Sequence, residues 1–304
     1  MNNYNNEEKY FNMRVRGNQH YKTLKEVFNE FGVAKAKMNY LISNNCCFLN
    51  GEIATYDTPL KQNDYLMVDI SNYEKLDYLP DDKKIDILYE DEYLLIVNKP
   101  SGYIIYPDDK NKSSTMANFI ANYYFNNGID ITIRHCHRLD TQTTGCLVYA
   151  KDLITQSAME KLFSNHLIEK NYLAIVEGMM YGKGKIDSSI SKDRHISGKM
   201  ITHPNGLNAL TYYEVLSNSQ TSSLVKVNIK TGRTHQIRVH MASILHPLFG
   251  DTLYGAITKT NIMLHCYTLE FIHPILGKKL SIKAPIPYEF NKIMKQEKLN
   301  INIK

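Results

Sequence analysis

The sequence predicts an α+β protein, in which one large mixed, mostly antiparallel sheet follows a small α/β module. Residues 224–230 alternate apolar and polar side chains along most of their length, which is the pattern of a strand buried on one face. Other strand-type runs recur beyond residue 84, with helical segments between them. Residues 71–84 are polar, contain Pro80 and lack a sustained periodicity, so a linker is expected there. The predicted units are residues 1–70, the linker and residues 85–304.

The first unit is predicted to contain two helices and a small hairpin sheet. Thr23 and Glu26 form a capping box, and the helix that follows should end at Gly32. The remaining elements are expected in the order helix 34–43, strand 46–49, turn Asn50-Gly51 and strand 65–70. Lys35 and Lys37 lie on a different face of the second helix from its apolar side chains.

The second unit is predicted from strand runs that alternate with helical segments. Strands are expected at residues 85–88, 93–97, 146–150, 172–177, 210–216 and 224–230. Helices are expected at about residues 114–126, 152–169 and 234–245, and after Pro287. The first two strands flank four turn-forming residues and therefore predict a hairpin.

The composition is that of a globular protein. Of 304 residues, 43% are hydrophobic, enough to build a core, and no apolar run approaches the roughly 18–20 residues that cross a bilayer. The polar start lacks the layout of a signal peptide. Five scattered cysteines without CxxC spacing favour reduced thiols over a disulfide framework or a zinc site. A soluble cytoplasmic protein is expected, and the net charge of +5 permits a polyanionic partner.

The densest polar cluster, residues 135–145, precedes an apolar strand. Asp140 lies there, two residues after Arg138, in a loop rich in threonine and glycine. An exposed carboxylate at the mouth of a strand can act as nucleophile or base, while an arginine can hold its charge or bind a phosphate. The alternative is an aspartate that only forms a turn or a cap.

A second cluster, residues 231–240, follows the alternating strand and opens a helix. Gly232 allows a tight strand-to-helix turn, and Thr234 is a candidate cap. Arg238 lies one helical turn after Thr234, so both side chains can face one cleft. The alternative is a solvated basic face.

The two clusters belong to a set of motifs that resembles one known family. The segment HRLDTQTTG, residues 137–145, closely resembles the HRLDxxTSG signature of RluA/RluD-type pseudouridine synthases. KNYLAIVEG at 170–178 and TGRTHQIRVHMASILHPLFGDTLYG at 231–255 resemble the second and third motifs of that family. The likeness continues through VNKPSGYIIYP, LHCYTLEFIHP and KAPIP, and so spans nearly all of residues 84–290.

The first 70 residues resemble the S-four-like RNA-binding module that many of these enzymes carry. LNG at residues 49–51 stands where such modules have VNG. Lys35 and Lys37 are the expected RNA contacts, although two lysines here replace a common Ser-Arg pair.

The resemblance implies isomerisation of uridine within RNA: the glycosidic bond breaks, the uracil rotates, and it rejoins the sugar through a ring carbon. Asp140 would be the essential carboxylate, which either attacks the anomeric carbon or removes a neighbouring proton. Arg238 corresponds to the salt-bridging arginine of the family. Tyr172 would supply a flat surface for the detached uracil and a hydroxyl for proton transfer, with Ile237 packing on the other side.

The target base must leave its stack before the enzyme can act on it. By comparison with the family, Arg138 would occupy the vacated space or hold a phosphate. Arg233 is a further expected RNA contact.

Three positions depart from the family pattern. Thr144 replaces a serine but keeps a hydroxyl, Tyr106 stands where a histidine is usual, and Leu245 occupies a common glycine position. None of these changes affects Asp140 or the other two expected catalytic residues.

The reaction requires no cofactor or metal, and neither is expected. The sequence contains no P-loop and no dinucleotide-binding fingerprint, and the spacing of its histidines does not favour zinc. The expected partner is ribosomal or transfer RNA, with no membrane, no obligatory protein partner and a monomeric state. Two other classes remain to be tested: a non-catalytic RNA-binding protein on the same fold, and a metal-dependent nuclease, which would need clustered carboxylates.

Overall fold

A computed structural model describes residues 9–109 and 112–301. The helices in this part of the chain are α1 (Leu24–Glu30), α2 (Lys35–Ser43), α3 (Met116–Asn126), α4 (Leu153–Ser164), α5 (Gln236–Ser243) and α6 (Tyr288–Gln296). The strands are β1 (Tyr10–Arg14), β2 (Cys47–Leu49), β3 (Glu52–Ile53), β4 (Tyr65–Asp69), β5 (Ile87–Glu90), β6 (Leu94–Lys99), β7 (Arg134–His135), β8 (Thr144–Ala150), β9 (Glu169–Glu177), β10 (Lys183–Asp187), β11 (Ile190–Lys192), β12 (Met200–Thr202), β13 (Leu210–Asn218), β14 (Ser222–Ile229), β15 (Leu264–Ile272) and β16 (Lys279–Lys283). Short 3₁₀ turns cover Gly17–Gln19, Ser71–Tyr73 and Thr252–Tyr254.

A ten-stranded sheet organises the larger part of the molecule. Its strand order is β10-β13-β14-β9-β15-β8-β6-β5, with β16 paired to β15 and β7 paired to β8. Within the described residues every pairing is antiparallel except that of β15 with β8. The prediction of an α+β fold with a mixed, mostly antiparallel sheet is therefore confirmed.

The helices and strands predicted for the first 70 residues are present. Thr23 and Glu26 close the capping box, and Gly32 follows the helix with φ of +74°. The structure adds β1, which the polar composition of the first residues concealed. This strand pairs with β4 and buries Phe11 and Met13, so the module contains a four-stranded sheet in the order β1-β4-β2-β3. Residues 1–8 and 302–304 of the predicted units lie outside the described residues.

The segment predicted to be a linker is hydrogen-bonded to the loop between α3 and β7 and to the start of β7. The backbone N–H of Lys75 donates to Thr132 Oγ1 at 3.2 Å, and that of Leu76 donates to Asp130 Oδ1 at 2.8 Å. Glu74 is buried and forms an ion pair of 2.7 Å with Arg134. Hydrogen bonds to residues distant in the chain therefore hold this segment in place, and its assignment as a linker stays a prediction.

The N-terminal module also packs directly on the large sheet. The rings of Phe11 and Tyr93 lie 6.0 Å apart, and the Tyr93 hydroxyl donates to the Asn12 carbonyl at 2.7 Å. Lys9 pairs with Asp130 at 2.7 Å. The two units therefore share buried surface, and the division of the chain at residues 71–84 remains a prediction.

Two helices differ at their ends from the sequence prediction. The chain leaves α4 at Ser164, not at residue 169, because His166 adopts a left-handed φ of +57° and Glu169 already begins β9. α5 begins at Gln236, two residues later than predicted. In the part of the chain that the structure describes, no helix has the length and apolar character needed to cross a membrane.

Candidate active site

The two polar clusters of the sequence meet at one cavity of about 540 Å³. Its wall is formed by the loop between β7 and β8, by the buried start of β9, and by the turn that leads into α5. This volume falls within the range of about 300–1,000 Å³ that is usual for small-molecule sites. Asp140, Tyr172 and Arg238 all contribute to the wall.

The loop that carries Asp140 is fixed on its C-terminal side. Gly145, with φ of +106°, lies so close to β15 that a Cβ there would overlap the Cys266 carbonyl oxygen, which requires glycine at this position. The Lys99 ammonium group is fully buried and donates to the carbonyl oxygens of Thr141 at 2.8 Å and Thr143 at 3.0 Å. Burial lowers the pKa of Lys99 to about 7, and the charge of Asp140 opposes this shift.

Arg238 lies between two carboxylates of different exposure. Its Nε and Nη2 donate to the buried Asp251 at 2.7 and 2.8 Å, while its Nη1 lies 3.7 Å from Asp140 Oδ2. Burial opposes the charge of the guanidinium, but the hydrogen bonds and charge of Asp251, together with Asp140, raise the pKa of Arg238. The expected proximity of Arg238 to Asp140 is present, and the fork-like pair with Asp251 orients the arginine.

His235 is the second group beside the carboxylate. Its Nε2 lies 3.9 Å from Asp140 Oδ2, and its Nδ1 is 2.9 Å from the Tyr254 hydroxyl. Burial lowers the pKa of His235, partly offset by Asp140. His235, with a left-handed φ of +56°, is the residue at the cap of α5. The prediction that Thr234 caps this helix is therefore wrong, although Thr234 does line the cavity, as expected.

Tyr172 lies on β9 between β14 and β15. It pairs with Val227 on one side and with Cys266 on the other, and only 6% of it is exposed. Burial raises the pKa of its hydroxyl well above the usual value, and Cys266 and Asp140 add to this effect. The hydroxyl therefore keeps its proton at neutral pH, so Tyr172 presents to the cavity a ring and a hydrogen-bond donor.

The other predicted contacts divide into two groups. Arg138, Arg233 and the buried Ile237 line the cavity. Lys35 and Lys37 lie on α2 of the N-terminal module and are not part of the cavity wall.

The three residues that depart from the family pattern are not part of the cavity wall. The Thr144 hydroxyl is 2.8 Å from His265 Nδ1. Tyr106 stacks on His135, with ring centroids 4.8 Å apart. Leu245 is 87% exposed and has a left-handed φ of +65°, which explains why glycine is usual there.

Sequence reasoning missed three residues of the site. Asp251 and Tyr254 lie in the third motif. The signal available in the sequence was an acidic residue directly after a glycine, and the structure shows that this residue is buried. Lys99 lies in the segment VNKPSGYIIYP, but its position below the Asp140 loop depends on the pairing of β6 with β8.

Comparison with known proteins agrees with this geometry. Residues 93–243, which include Asp140, Tyr172 and Arg238, match the family described as RNA pseudouridylate synthase. YhcT of Bacillus subtilis (strain 168), named as an uncharacterized RNA pseudouridine synthase, is 35% identical over 250 residues, or 81% of this chain and 83% of YhcT. The chain belongs to the RNA pseudouridylate synthase family.

Other members of this family are similar over most of the chain. Ribosomal large subunit pseudouridine synthase D of Escherichia coli (strain K12) is 30% identical over 285 residues, or 88% of this chain and 86% of that protein. The solved structure of human RNA pseudouridylate synthase domain containing 4 has a TM-score of 0.61 and 25% identity over 71% of this chain and 94% of its own. As a pseudouridine synthase, the chain is an isomerase that converts uridine in RNA to pseudouridine.

Proposed function

We propose that this pseudouridine synthase modifies specific uridines in structured ribosomal RNA, with Asp140 as the essential carboxylate. The observation that carries this proposal is the convergence of Asp140, Tyr172 and Arg238 on one cavity. The ribosomal substrate is supported by the similarity to ribosomal large subunit pseudouridine synthase D. Transfer RNA is the alternative substrate.

The reaction rearranges one nucleotide without a change in oxidation state. The bond from N1 of uracil to C1′ of ribose breaks, a bond from C5 to C1′ forms, the hydrogen of C5 leaves as a proton, and N1 takes up a proton. Asp140 acts at the sugar, either by attack on C1′ or by removal of the neighbouring proton. On both routes Arg238, at 3.7 Å, offsets the negative charge that Asp140 carries before the step.

The detached uracil must turn without leaving the enzyme. The Tyr172 ring provides one flat face for it, and Ile237 provides an apolar contact in the same wall. Because the Tyr172 hydroxyl retains its proton, its role is to donate a hydrogen bond, not to act as a base.

The remaining cations serve the RNA. Arg138 is exposed at the cavity and is suited to fill the space that the flipped uridine vacates, or to hold a phosphate. Arg233 lies on the same wall. Lys35 and Lys37 of the S-four-like module would add phosphate contacts away from the cavity.

The chemistry calls for no cofactor or metal, because electrons move only within the substrate. We infer that the enzyme acts as a monomer in the cytoplasm, without an obligatory protein partner. The five cysteines are free and buried, which suits a reducing compartment.

RNA that carries tritium at C5 of uracil tests the proposal. Isomerisation releases this tritium into water, whereas RNA binding alone and strand cleavage do not, so the same assay separates an enzyme from a non-catalytic binding protein and from a nuclease. Base-resolution mapping of pseudouridine in a strain lacking the gene would then identify the site. Loss of a pseudouridine from transfer RNA alone would contradict the ribosomal assignment.

A further inference from the structure

One buried cation of the active-site cavity has no counter-charge. Four lysine or arginine residues are buried in the described part of the chain: Lys99, Arg134, Lys170 and Arg238. Arg134 pairs with Glu74, Arg238 pairs with Asp251, and Lys99 binds three carbonyl oxygens. Lys170 is 8% exposed, and within residues 9–109 and 112–301 its ammonium group has no ion pair and no hydrogen bond.

The side chains recorded beside the Lys170 ammonium group, Phe163 and His137, are uncharged. The aromatic contact of this group is with the Phe163 ring, at 5.8 Å from the centroid, which is the outer limit of a cation–π interaction. His137, which is close enough for its pKa to respond to Lys170, has that pKa lowered to about 3, mainly by burial, and so is uncharged. Glu160, a carboxylate of the same wall, accepts a hydrogen bond from Gln156 instead.

Lys170 faces the same cavity as Tyr172. The two residues are separated by one position on β9, so their side chains leave the sheet on one face about 6.5 Å apart along the strand. Both belong to the cavity wall. The ammonium nitrogen lies 3.6 Å from where a Cβ of Gly232 would be, so the absence of a side chain at Gly232 leaves room beside it.

Lys170 is largely buried in the cavity wall, so its ammonium group loses part of its hydration, and an anionic ligand would offset this cost. Two further cations of the wall, Arg138 and Arg233, form no ion pair in the part of the chain that the structure describes. Arg233 directly follows Gly232, and its Nε donates to the Asn208 carbonyl at 3.0 Å, which leaves its other nitrogens available to a ligand. Among the described residues, Lys170, Arg138 and Arg233 therefore lack an anionic partner, which a substrate can supply. RNA carries a phosphate group at every nucleotide.

We propose that Lys170 binds a phosphate group of the RNA backbone at or next to the flipped uridine, together with Arg233. This contact would be made inside the cavity, where little water competes with it, and would hold the nucleotide while its base turns against Tyr172. The inference rests on the proposed function, since it assigns a substrate contact to a residue of the same site.

The first test is the stability of the protein without RNA. Lys170→Met keeps an unbranched side chain and removes the unpaired charge, so its Tm should equal or exceed that of the unaltered protein. A Tm several degrees lower would mean that Lys170 has a structural partner, which overturns the proposal. Lys292→Met serves as the control, because Lys292 is an exposed lysine of α6 outside the cavity.

The second test locates the phosphate. A series of short substrate RNAs carries an uncharged methylphosphonate at one linkage at a time around the target uridine. For the unaltered enzyme, the methylphosphonate at one particular linkage should raise KM about 10- to 100-fold, as expected for loss of a charge-assisted hydrogen bond. Lys170→Met should raise KM by a similar factor on ordinary RNA and be insensitive to that one linkage. Lys170→Arg should recover part of the loss.

The outcomes separate this inference from the proposed function. If every methylphosphonate changes the KM of Lys170→Met as much as it changes that of the unaltered enzyme, Lys170 does not bind a phosphate. If removal of the uracil O4 from the RNA raises the KM of the unaltered enzyme but not that of Lys170→Met, Lys170 binds the base. If the unaltered enzyme releases no tritium, the proposed function fails. Fluorescence anisotropy with the same RNAs would then still decide the Lys170 contact by affinity.

Discussion

Arg238 is held more closely by Asp251 than by Asp140. Two hydrogen bonds of 2.7 and 2.8 Å connect the guanidinium to Asp251, which is almost fully buried, and the contact with Asp140 is 3.7 Å. Asp251 therefore holds Nε and Nη2 of the arginine, and the remaining nitrogen, Nη1, is directed to the Asp140 carboxylate at the cavity. Asp251 acts on the reaction through Arg238, as a positioning residue.

Loss of Asp251 should affect both stability and activity. Asp251→Ala leaves a buried guanidinium with only a distant counter-charge, which typically costs about 3–5 kcal/mol of unfolding free energy. We expect a comparable loss in urea unfolding and a drop in tritium release of about 10-fold or more. Asp187→Asn is the control, since Asp187 forms only an exposed pair of 3.9 Å with Lys185 and should change neither quantity. Full activity of Asp251→Ala would contradict this role.

The part of the site that sequence could predict is the part that short motifs contain. Asp140, Tyr172 and Arg238 each stand within a contiguous motif, and their meeting at one cavity follows from the ends of β7, β9 and α5. The partner of Arg238 could not be read in the same way, because Asp251 is 13 residues away, beyond the end of α5 and at the start of the Thr252–Tyr254 turn.

The same limit explains the errors in the fold. β1 was missed because its pairing partner, β4, lies more than 50 residues later and half of its side chains are polar. The hydrogen bonds of segment 71–84 were missed because they go to residues 130–134, which no local pattern reveals. Local periodicity predicts elements, whereas long-range hydrogen bonds decide which polar segments are held in place.

Asp140→Asn should fold normally and bind RNA, but lose essentially all isomerisation. The amide has nearly the same size as the carboxylate but neither its charge nor its basicity. We expect tritium release to fall by at least about 10³-fold, equivalent to about 4 kcal/mol of transition-state stabilisation. Glu160→Gln, which alters the other carboxylate of the cavity wall, should remain active. Robust turnover by Asp140→Asn would exclude Asp140 as the essential group.

Substitutions of Tyr172 should distinguish its ring from its hydroxyl. Tyr172→Phe keeps the flat surface, whereas Tyr172→Leu removes it. Because burial raises the pKa of the hydroxyl and keeps it protonated, we expect Tyr172→Phe to retain more activity than Tyr172→Leu, by about 10-fold or more. The measurement is single-turnover tritium release at saturating RNA. Equal activity of the two variants would show that the aromatic face contributes nothing.

The charge of Lys99 should make activity depend on pH. Below about pH 7 the ammonium group donates to three carbonyl oxygens around the Asp140 loop; above it, a neutral amine has only two N–H groups for them. We expect the rate to decline as pH rises from 6 to about 8.5. Lys99→Arg, which stays charged throughout, should abolish the decline. A profile that is unchanged in Lys99→Arg would rule out this lysine as the cause.

Because of Lys99, the free energy of unfolding should rise with pH, whereas the activity should fall. In the unfolded chain the lysine has its usual pKa of 10.5, whereas burial lowers the pKa in the folded chain to about 7. Between these values the unfolded chain binds more protons, so the free energy of unfolding rises with pH across this window. The difference between the unaltered protein and Lys99→Met in urea unfolding should therefore grow in favour of the unaltered protein from pH 7 upward. A constant difference would contradict the lowered pKa.

The N-terminal module offers a test of RNA binding that does not disturb the fold. Deleting the module would expose Tyr93, which contacts Phe11, and would remove Lys9, the ion-pair partner of Asp130, so a truncated protein would lose stability for reasons unrelated to RNA. Lys35 and Lys37 are better targets, because neither is buried: Lys35 is exposed and Lys37 is half-buried on α2. The double variant Lys35→Gln with Lys37→Gln should keep the Tm of the unaltered protein.

If these two lysines contact phosphates, the effect should be electrostatic. The slope of log Kd against log salt should become shallower by about 1.8 on duplex RNA, taking about 0.9 per lost contact, and affinity should fall most visibly near physiological salt. The rate at saturating RNA should not change, because both residues lie outside the cavity wall. The matched control is Lys292→Gln with Lys295→Gln on α6, at the other end of the chain. The contrary outcome is a variant that binds a large structured RNA as tightly as the unaltered protein at every salt concentration. In that case the S-four-like module does not bind RNA through this helix. The replacement of the usual Ser-Arg pair by two lysines would then be the first explanation to examine.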